Sequence, residues 1–156
     1  MTAESMHADP GGEAAGTGVV VRTPAGGLRT EVSVGGHSFV ADEPVELGGT
    51  EAGPTPLDYL AAAVGACTAM TVRMYANRKG WPLDDVQVTM HHGKVTGAAP
   101  GASYQLEKSI VFSGELTDEQ RQRLLQIAER CPVKLAVERG IPIVTADDAD
   151  SDNPPL

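Results

Sequence analysis

Apolar and polar residues alternate with a period of two through the first folded part of the chain. Residues 18–23 (GVVVRT), 28–34 (LRTEVSV) and His37–Ala41 (HSFVA) each read as a strand, and they are separated by Pro24-Ala25-Gly26-Gly27 and by Gly35-Gly36. This predicts a three-stranded meander. Residues 42–54 (DEPVELGGTEAGP) are broken by Pro and Gly and predict a linker without an element of its own.

The pattern then changes. Thr55 suits an N-cap, Pro56 suits the first helical position, and Asp58 stands three residues after the cap, as in a capping box. The following run, LDYLAAAVGACTAMTVRMYANRK, carries no charge between Asp58 and Arg73 and stops at Lys79-Gly80 with Pro82 beyond. A helix over Pro56–Lys79, ~36 Å long, is expected. It is apolar almost all round, so it should be enclosed on several sides. One small sheet can cover only one face. The remainder falls to other elements or to a second copy of the chain, which makes a homodimer the simplest expectation.

Alternation returns in 86–92 (VQVTMHH) and 103–115 (SYQLEKSIVFSGE), a second hairpin around a turn over 93–102. Thr117 and Gln120 form a capping-box pair ahead of a helix with Leu124, Ile127, Ala128 and Cys131 on one stripe. Pro132 interrupts it at a helix-start position, so a short helix over 133–139 is expected to restart with Cys131 as its N-cap, followed by a last strand over 141–145. The order is βββ-α-ββ-αα-β, an α+β class with mainly antiparallel sheet. The Gly/Ala/acid-rich residues 1–16 and the acidic 146–156 are expected to be disordered tails around a single domain over 17–145.

Composition narrows the function. A formal net charge of −9, with 12 Lys and Arg scattered along the chain, argues against nucleic acid and anionic lipid as partners. No basic, apolar leader opens the chain and no run of apolar residues is long enough to span a membrane, which points to the cytoplasm. Two cysteines are too few for a disulfide scaffold. No glycine-rich phosphate loop, no Ser/His/Asp set and no spaced metal-ligand set is readable, and His91 and His92 would point to opposite faces of a strand, so no cofactor is expected.

The chemistry therefore falls to Cys67 and Cys131. Cys67 lies within the apolar helix with Leu60, Val64, Met70, Thr71 and Met74 at helical spacings on its side. A small core residue and a reactive thiol are both compatible with that position. Burial there raises a thiol pKa, so reactivity needs a cation, for which Arg29 and Arg22 of the meander, or a partner subunit, are the sources; Arg73 faces away. Cys131 would meet free amide donors at a helix N-terminus, which favour the thiolate, although an inert N-cap fits the same position.

GPTPLDYLAAAVGACTAM at 53–70 and ERCPVKLAV at 129–137, with hairpins between them, resemble the OsmC/Ohr family of osmotically induced and organic-hydroperoxide-resistance proteins. The linker PVELGGTEAGPTP is similar to that family's segment before its central helix. The resemblance spans 18–145 and implies an intertwined homodimer whose antiparallel sheets wrap a long buried central helix. It also implies a peroxidatic Cys67, a resolving Cys131, an activating arginine matched by Arg29, and turnover of organic hydroperoxides with a dithiol reductant, lipoyl-type in some members. This chain departs from the organic-hydroperoxide branch after Pro56, where Leu57 replaces a glutamate. Asp58, nine residues before Cys67, is turned ~180° from it and reads as a cap. It departs from the osmotically induced branch at Asp42-Glu43, where that branch has an arginine. The leading expectation is a two-cysteine thiol peroxidase of oxidative stress defence. The rival is a dimer that holds an apolar ligand with both thiols unreactive.

Overall fold

A computed structural model of the chain describes residues 18–95 and 104–145. The elements are β1 (Val19–Arg22), β2 (Thr30–Val34), β3 (His37–Ala41), a 3-10 turn (Val45–Leu47), α1 (Pro56–Lys79), β4 (Asp85–Lys94), β5 (Tyr104–Ser113), α2 (Asp118–Ala128) and α3 (Pro132–Arg139). They fall into two compact units, Met1–Pro56 and Leu57–Leu156. The tails expected over 1–16 and 146–156, and residues 96–102 of the expected turn, lie outside the described residues.

In the first unit β1, β2 and β3 form the expected antiparallel meander. Gly35 and Gly36 join β2 to β3 with φ of 52° and 80°. Two successive left-handed residues are what a tight hairpin turn matching the strand twist requires, and glycine adopts them without a Cβ clash. The segment after β3 departs from the expected featureless linker, because it closes on a carboxylate. Asp42 is 2 % exposed. It accepts the amide N–H groups of Glu43, Thr50 and Ala52 at 2.9, 3.0 and 3.1 Å and the Thr50 hydroxyl at 2.6 Å. With both ends of the loop tied to one side chain, the backbone between them has room for the single turn at Val45–Leu47.

In the second unit α1 packs on the β4–β5 hairpin and on α2. One row of the sheet faces inward: Val86, Val88, Met90 and His92 stand opposite Phe112, Ile110, Lys108 and Leu106. Val72, Ala76, Leu83, Leu124 and Ala128 form the buried core against this row. Removing a branched aliphatic chain such as Val72 or Leu124 from water contributes ~1.5–3 kcal/mol each. Gly65 allows the close approach of α1 to β4, since a Cβ there would stand 3.0 Å from Met90 Cγ.

The cover on α1 is one-sided. Ala61, Val64, Gly65, Thr68, Val72 and Ala76 are buried, whereas Leu60, Met70 and Met74 are 39, 63 and 72 % exposed. The single chain thus leaves open an apolar strip of the helix that the sequence expected to be enclosed.

α2 begins with the expected capping box: Gln120 N–H donates to the Thr117 hydroxyl at 3.2 Å, and Thr117 N–H donates to the Gln120 amide oxygen at 2.9 Å. Such a cap is worth ~1 kcal/mol. α3 starts at Pro132 with Cys131 as N-cap. The expected last strand does not form: 141–145 has no regular structure. Ile141, Ile143 and Val144 are 62, 92 and 87 % exposed. Pro142 offers no N–H to a ladder, and alternation alone makes no strand without a neighbouring edge. The observed order is βββ-α-ββ-αα.

Candidate active site

Cys67 and Cys131, far apart in sequence, meet inside the second unit. Cys67 is half-buried and Cys131 fully buried, and both are free thiols. Cys67 lies at the border of the two faces of α1, between the covered Val64 and Thr68 and the open strip of Leu60, Met70 and Met74. This border follows from helical spacing, which puts residues three and four apart on one side. Cys131 arrives from the other direction. The buried stripe of α2 ends at Ala128, Pro132 cannot continue that helix, and the turn between them drops the Cys131 side chain against α1.

The electrostatics at Cys131 are those of amide donors and hydroxyls. Burial pushes the thiol pKa up. The Cys67 thiol, the Lys134 amide, the Thr68 hydroxyl and the Val133 amide act against burial and bring the pKa below the usual thiol value. The two amides face the sulfur without the geometry of a capping hydrogen bond, so they act on it as dipoles at the start of α3. As a neutral thiol, Cys131 points its S–H at the Val64 carbonyl, 3.9 Å away. That carbonyl also accepts the Thr68 hydroxyl at 2.8 Å. Thr68 has one hydroxyl proton for two acceptors, and ionisation of Cys131 favours turning it toward the sulfur. The donors expected at an N-terminal thiol are thus present. Thr68 is a new member of the site, visible in the sequence only as the neighbour of Cys67.

An ion-pair network anchors the turn that carries Cys131. Glu129 binds Lys108 of β5 at 2.9 Å and Lys134 of α3 at 3.0 Å. Lys134 also binds Glu138 at 2.7 Å. Hydrogen bonds from Lys108 and then Lys134 hold the Glu129 carboxyl below its ordinary range.

Arg29 belongs to the first unit and pairs with Glu31 at 2.9 Å, both side chains about half exposed. A pair of this kind contributes ~0–1 kcal/mol. Arg22 of β1 stands opposite Glu31 in the meander. Arg73 turns away as expected, donating to the carbonyls of Leu83 and Asp84. Asp58, expected as a cap of α1, bonds His92 of β4 at 2.8 Å. The sequence carried no signal for that pairing, because it depends on where β4 crosses the start of α1.

The fold and the site define a class, an α+β protein in which a half-exposed thiol on a long apolar helix faces a buried thiol at a helix start. The chain belongs to the OsmC family: the model of OsmC-like proteins matches residues 48–146, more than half of it. Solved structures share the fold. An organic hydroperoxide resistance protein OsmC from Legionella pneumophila is 25 % identical over 80 % of this chain and 90 % of its own, with a TM-score of 0.61. A protein of Psychrobacter arcticus described by osmotic stress induction and detoxification response is 22 % identical over 76 % and 85 %, with a TM-score of 0.64. An OsmC-like protein of unknown function from Vibrio cholerae is 15 % identical over 80 % and 94 %, with a TM-score of 0.65. A comparison with curated proteins gives no match. Among the described residues, no helix is long and apolar enough to cross a membrane.

Proposed function

We propose that this chain is a thiol-dependent peroxidase that reduces organic hydroperoxides through Cys67 and Cys131. The observation that carries the reading is the contact of the two thiols, with the outer one reachable and the inner one favoured as thiolate. Membership in the OsmC family and the hydroperoxide-resistance relatives support the substrate class.

In this reaction the Cys67 thiolate attacks the distal peroxide oxygen. The O–O bond breaks, the alkoxide leaves and is protonated to the alcohol, and Cys67 becomes a sulfenic acid. The Cys131 thiolate then attacks the Cys67 sulfur, an S–S bond forms, and the hydroxyl leaves as water. An external dithiol, lipoyl-type or similar, reduces the disulfide and is itself oxidised. Cys67 takes the first role because a fully buried sulfur meets no substrate. The open strip of Leu60, Met70 and Met74 suits an apolar hydroperoxide, and a second copy of the chain provides the remaining cover in a homodimer. Arg29 is the proposed activating cation for Cys67. Reduced thiols of this kind belong in a reducing compartment such as the cytoplasm.

A second reading, binding of an apolar ligand without turnover, rests on a cleft of about 230 Å³ where Val64, Met90, Tyr104, Leu106 and Val137 form the apolar lining and Lys108, Lys134 and Glu138 the charged part. One experiment separates the two. Intact mass with thiol counting after one equivalent of cumene hydroperoxide should show the loss of two hydrogens per chain. An unchanged mass with two free thiols rejects the peroxidase.

A further inference from the structure

Two turns beyond Cys67, ~12 Å along α1, the helix carries a second concentration of chemistry around Tyr75. Arg123 of α2 donates its Nε–H to the Tyr75 hydroxyl at 3.2 Å. The charged groups of Arg78, Lys79 and Arg123 lie 5.4, 5.8 and 5.8 Å from the centre of the Tyr75 ring. Trp81 meets that ring edge-on, with centroids 5.5 Å apart. Among the described residues, none of these three cations forms an ion pair with a carboxylate. The acceptor that Arg123 has besides the phenol is the neutral amide of Gln126, at 2.9 Å.

Three cations without a carboxylate partner repel one another around this ring, by ~1 kcal/mol for a pair 4 Å apart in water, although the last turn of α1 favours Arg78 and Lys79 there. Contact with the π-face offsets only ~0.5–1 kcal/mol for each at an exposed site. Tyr75 already registers the resulting field: the Arg123 hydrogen bond, with the charges of Arg123, Lys79 and Arg78, holds its hydroxyl below the ordinary tyrosine value, against the effect of burial. The same field stabilises any other anion placed there. Beside the cluster is a cleft of about 540 Å³ whose lining includes Tyr75, Lys79, Trp81, Arg123 and Gln126, with Glu119 as its one acidic group. The volume is in the range of small-molecule sites, ~300–1,000 Å³.

We propose that this cleft binds a flat organic anion, an aromatic ring bearing a carboxylate or a phosphate, with the ring against Trp81 and Tyr75 and the charge between Lys79 and Arg123. Two aromatic side chains set edge to face offer apolar contact to a third ring. The guanidinium of Arg123 offers paired donors to either acid group. Lys79 and Arg123 together outweigh Glu119, so the lining keeps a net positive charge. The site does not depend on the thiols and stands whether or not they turn over peroxide.

Trp81 is the one tryptophan of the chain, so its emission reports on this cleft. The full-length protein is titrated with phenyl phosphate and with benzoate, which separate the two acid groups, and with inorganic phosphate, acetate and benzyl alcohol, which carry the charge or the ring alone. The expected result is a saturable change with at least one of the first two and affinity at least ~10-fold weaker for the rest, a factor that one charge–charge or ring contact of ~1.4 kcal/mol accounts for. Arg123→Gln and Lys79→Gln should each weaken binding by ~10-fold, and raised salt should weaken it in the parent. Binding should also move Tyr75 ionisation, followed by tyrosinate absorbance, to higher pH, because the ligand cancels the field that favours phenolate. Lys79 is exposed at the end of α1, so its variant remains informative if Arg123→Gln fails to fold. No saturable response, an equal response to acetate or benzyl alcohol, or parental affinity in the folded Lys79 variant overturns the proposal.

Discussion

Asp42 and Cys131 solve one problem in two regions. Each is a buried ionisable group, and each is served by backbone amides and a threonine hydroxyl, with no cation among its partners in the described residues. At Asp42 the donors prevail by a wide margin. The Thr50 hydroxyl leads, the amides of Ala52, Glu43 and Thr50 add to it against burial, and the carboxyl pKa falls from 3.8 to about 2. At Cys131 burial is the largest single influence, and four weaker donors overcome it together. The difference is chemical: a carboxylate has two compact oxygens that accept several short hydrogen bonds, while one large sulfur accepts longer, weaker ones. Donor geometry suffices to make a permanent anion at Asp42 and a poised thiol at Cys131.

Removing the thiols tests the second half of this comparison most severely. Cys67→Ser should lower the rate of peroxide consumption by at least ~100-fold, whereas Cys131→Ser should still consume one equivalent and stop at a sulfenic acid that dimedone traps. Rapid consumption by Cys67→Ser would make Cys131, despite its burial, the attacking group. Arg29→Ala should slow Cys67 oxidation ~10-fold, and should leave the thiolate absorbance titration of Cys131 in a Cys67→Ser background unchanged, because Cys131 relies on donors alone. Equal oxidation rates in Arg29→Ala and the parent would remove the cation from the mechanism.

Smaller effects sharpen the same contrast. Asp42→Asn should speed amide exchange at Thr50 and Ala52 by ~10-fold, as loss of the charged acceptor frees the loop. For the parent, the sign of the pH dependence follows from the depressed pKa: the carboxylate stabilises the folded state fully above the unfolded value of 3.8, and this contribution is lost as pH falls from there through about 2. Exchange at those two amides, followed across that window, should rise toward the Asp42→Asn level. The least change is expected from Thr68→Val, which should raise the pH midpoint of Cys131 thiolate formation and slow disulfide closure a few-fold at most, because three other donors remain. An unaltered midpoint would take Thr68 out of the site. Light scattering should meanwhile report about twice the chain mass of 16.2 kDa, and a monomer would leave the open strip of α1 without its proposed cover.

What the sequence determined by itself is local. Alternation marked β1 to β5, Pro56 and Lys79-Gly80 bounded α1, the Thr117–Gln120 pair opened α2, and Pro132 split α2 from α3 and put Cys131 at a helix start. Each of these signals acts within a few residues through backbone dihedrals and hydrogen bonds, so it needs no knowledge of the rest of the chain. The OsmC likeness was legible for the same reason, since its motifs are contiguous. Tertiary structure decided what depends on distant neighbours. Residues 141–145 alternate as a strand should, yet find no edge to pair with. Asp42 looked like one more acid in a broken linker until the chain folded its donors around it. The meeting of Cys67 with Cys131, the Thr68 hydroxyl beside Cys131 and the cations gathered on Tyr75 arise only when α2 is laid against α1, because hydrogen bonds and fields act through space and no spacing along the chain encodes them.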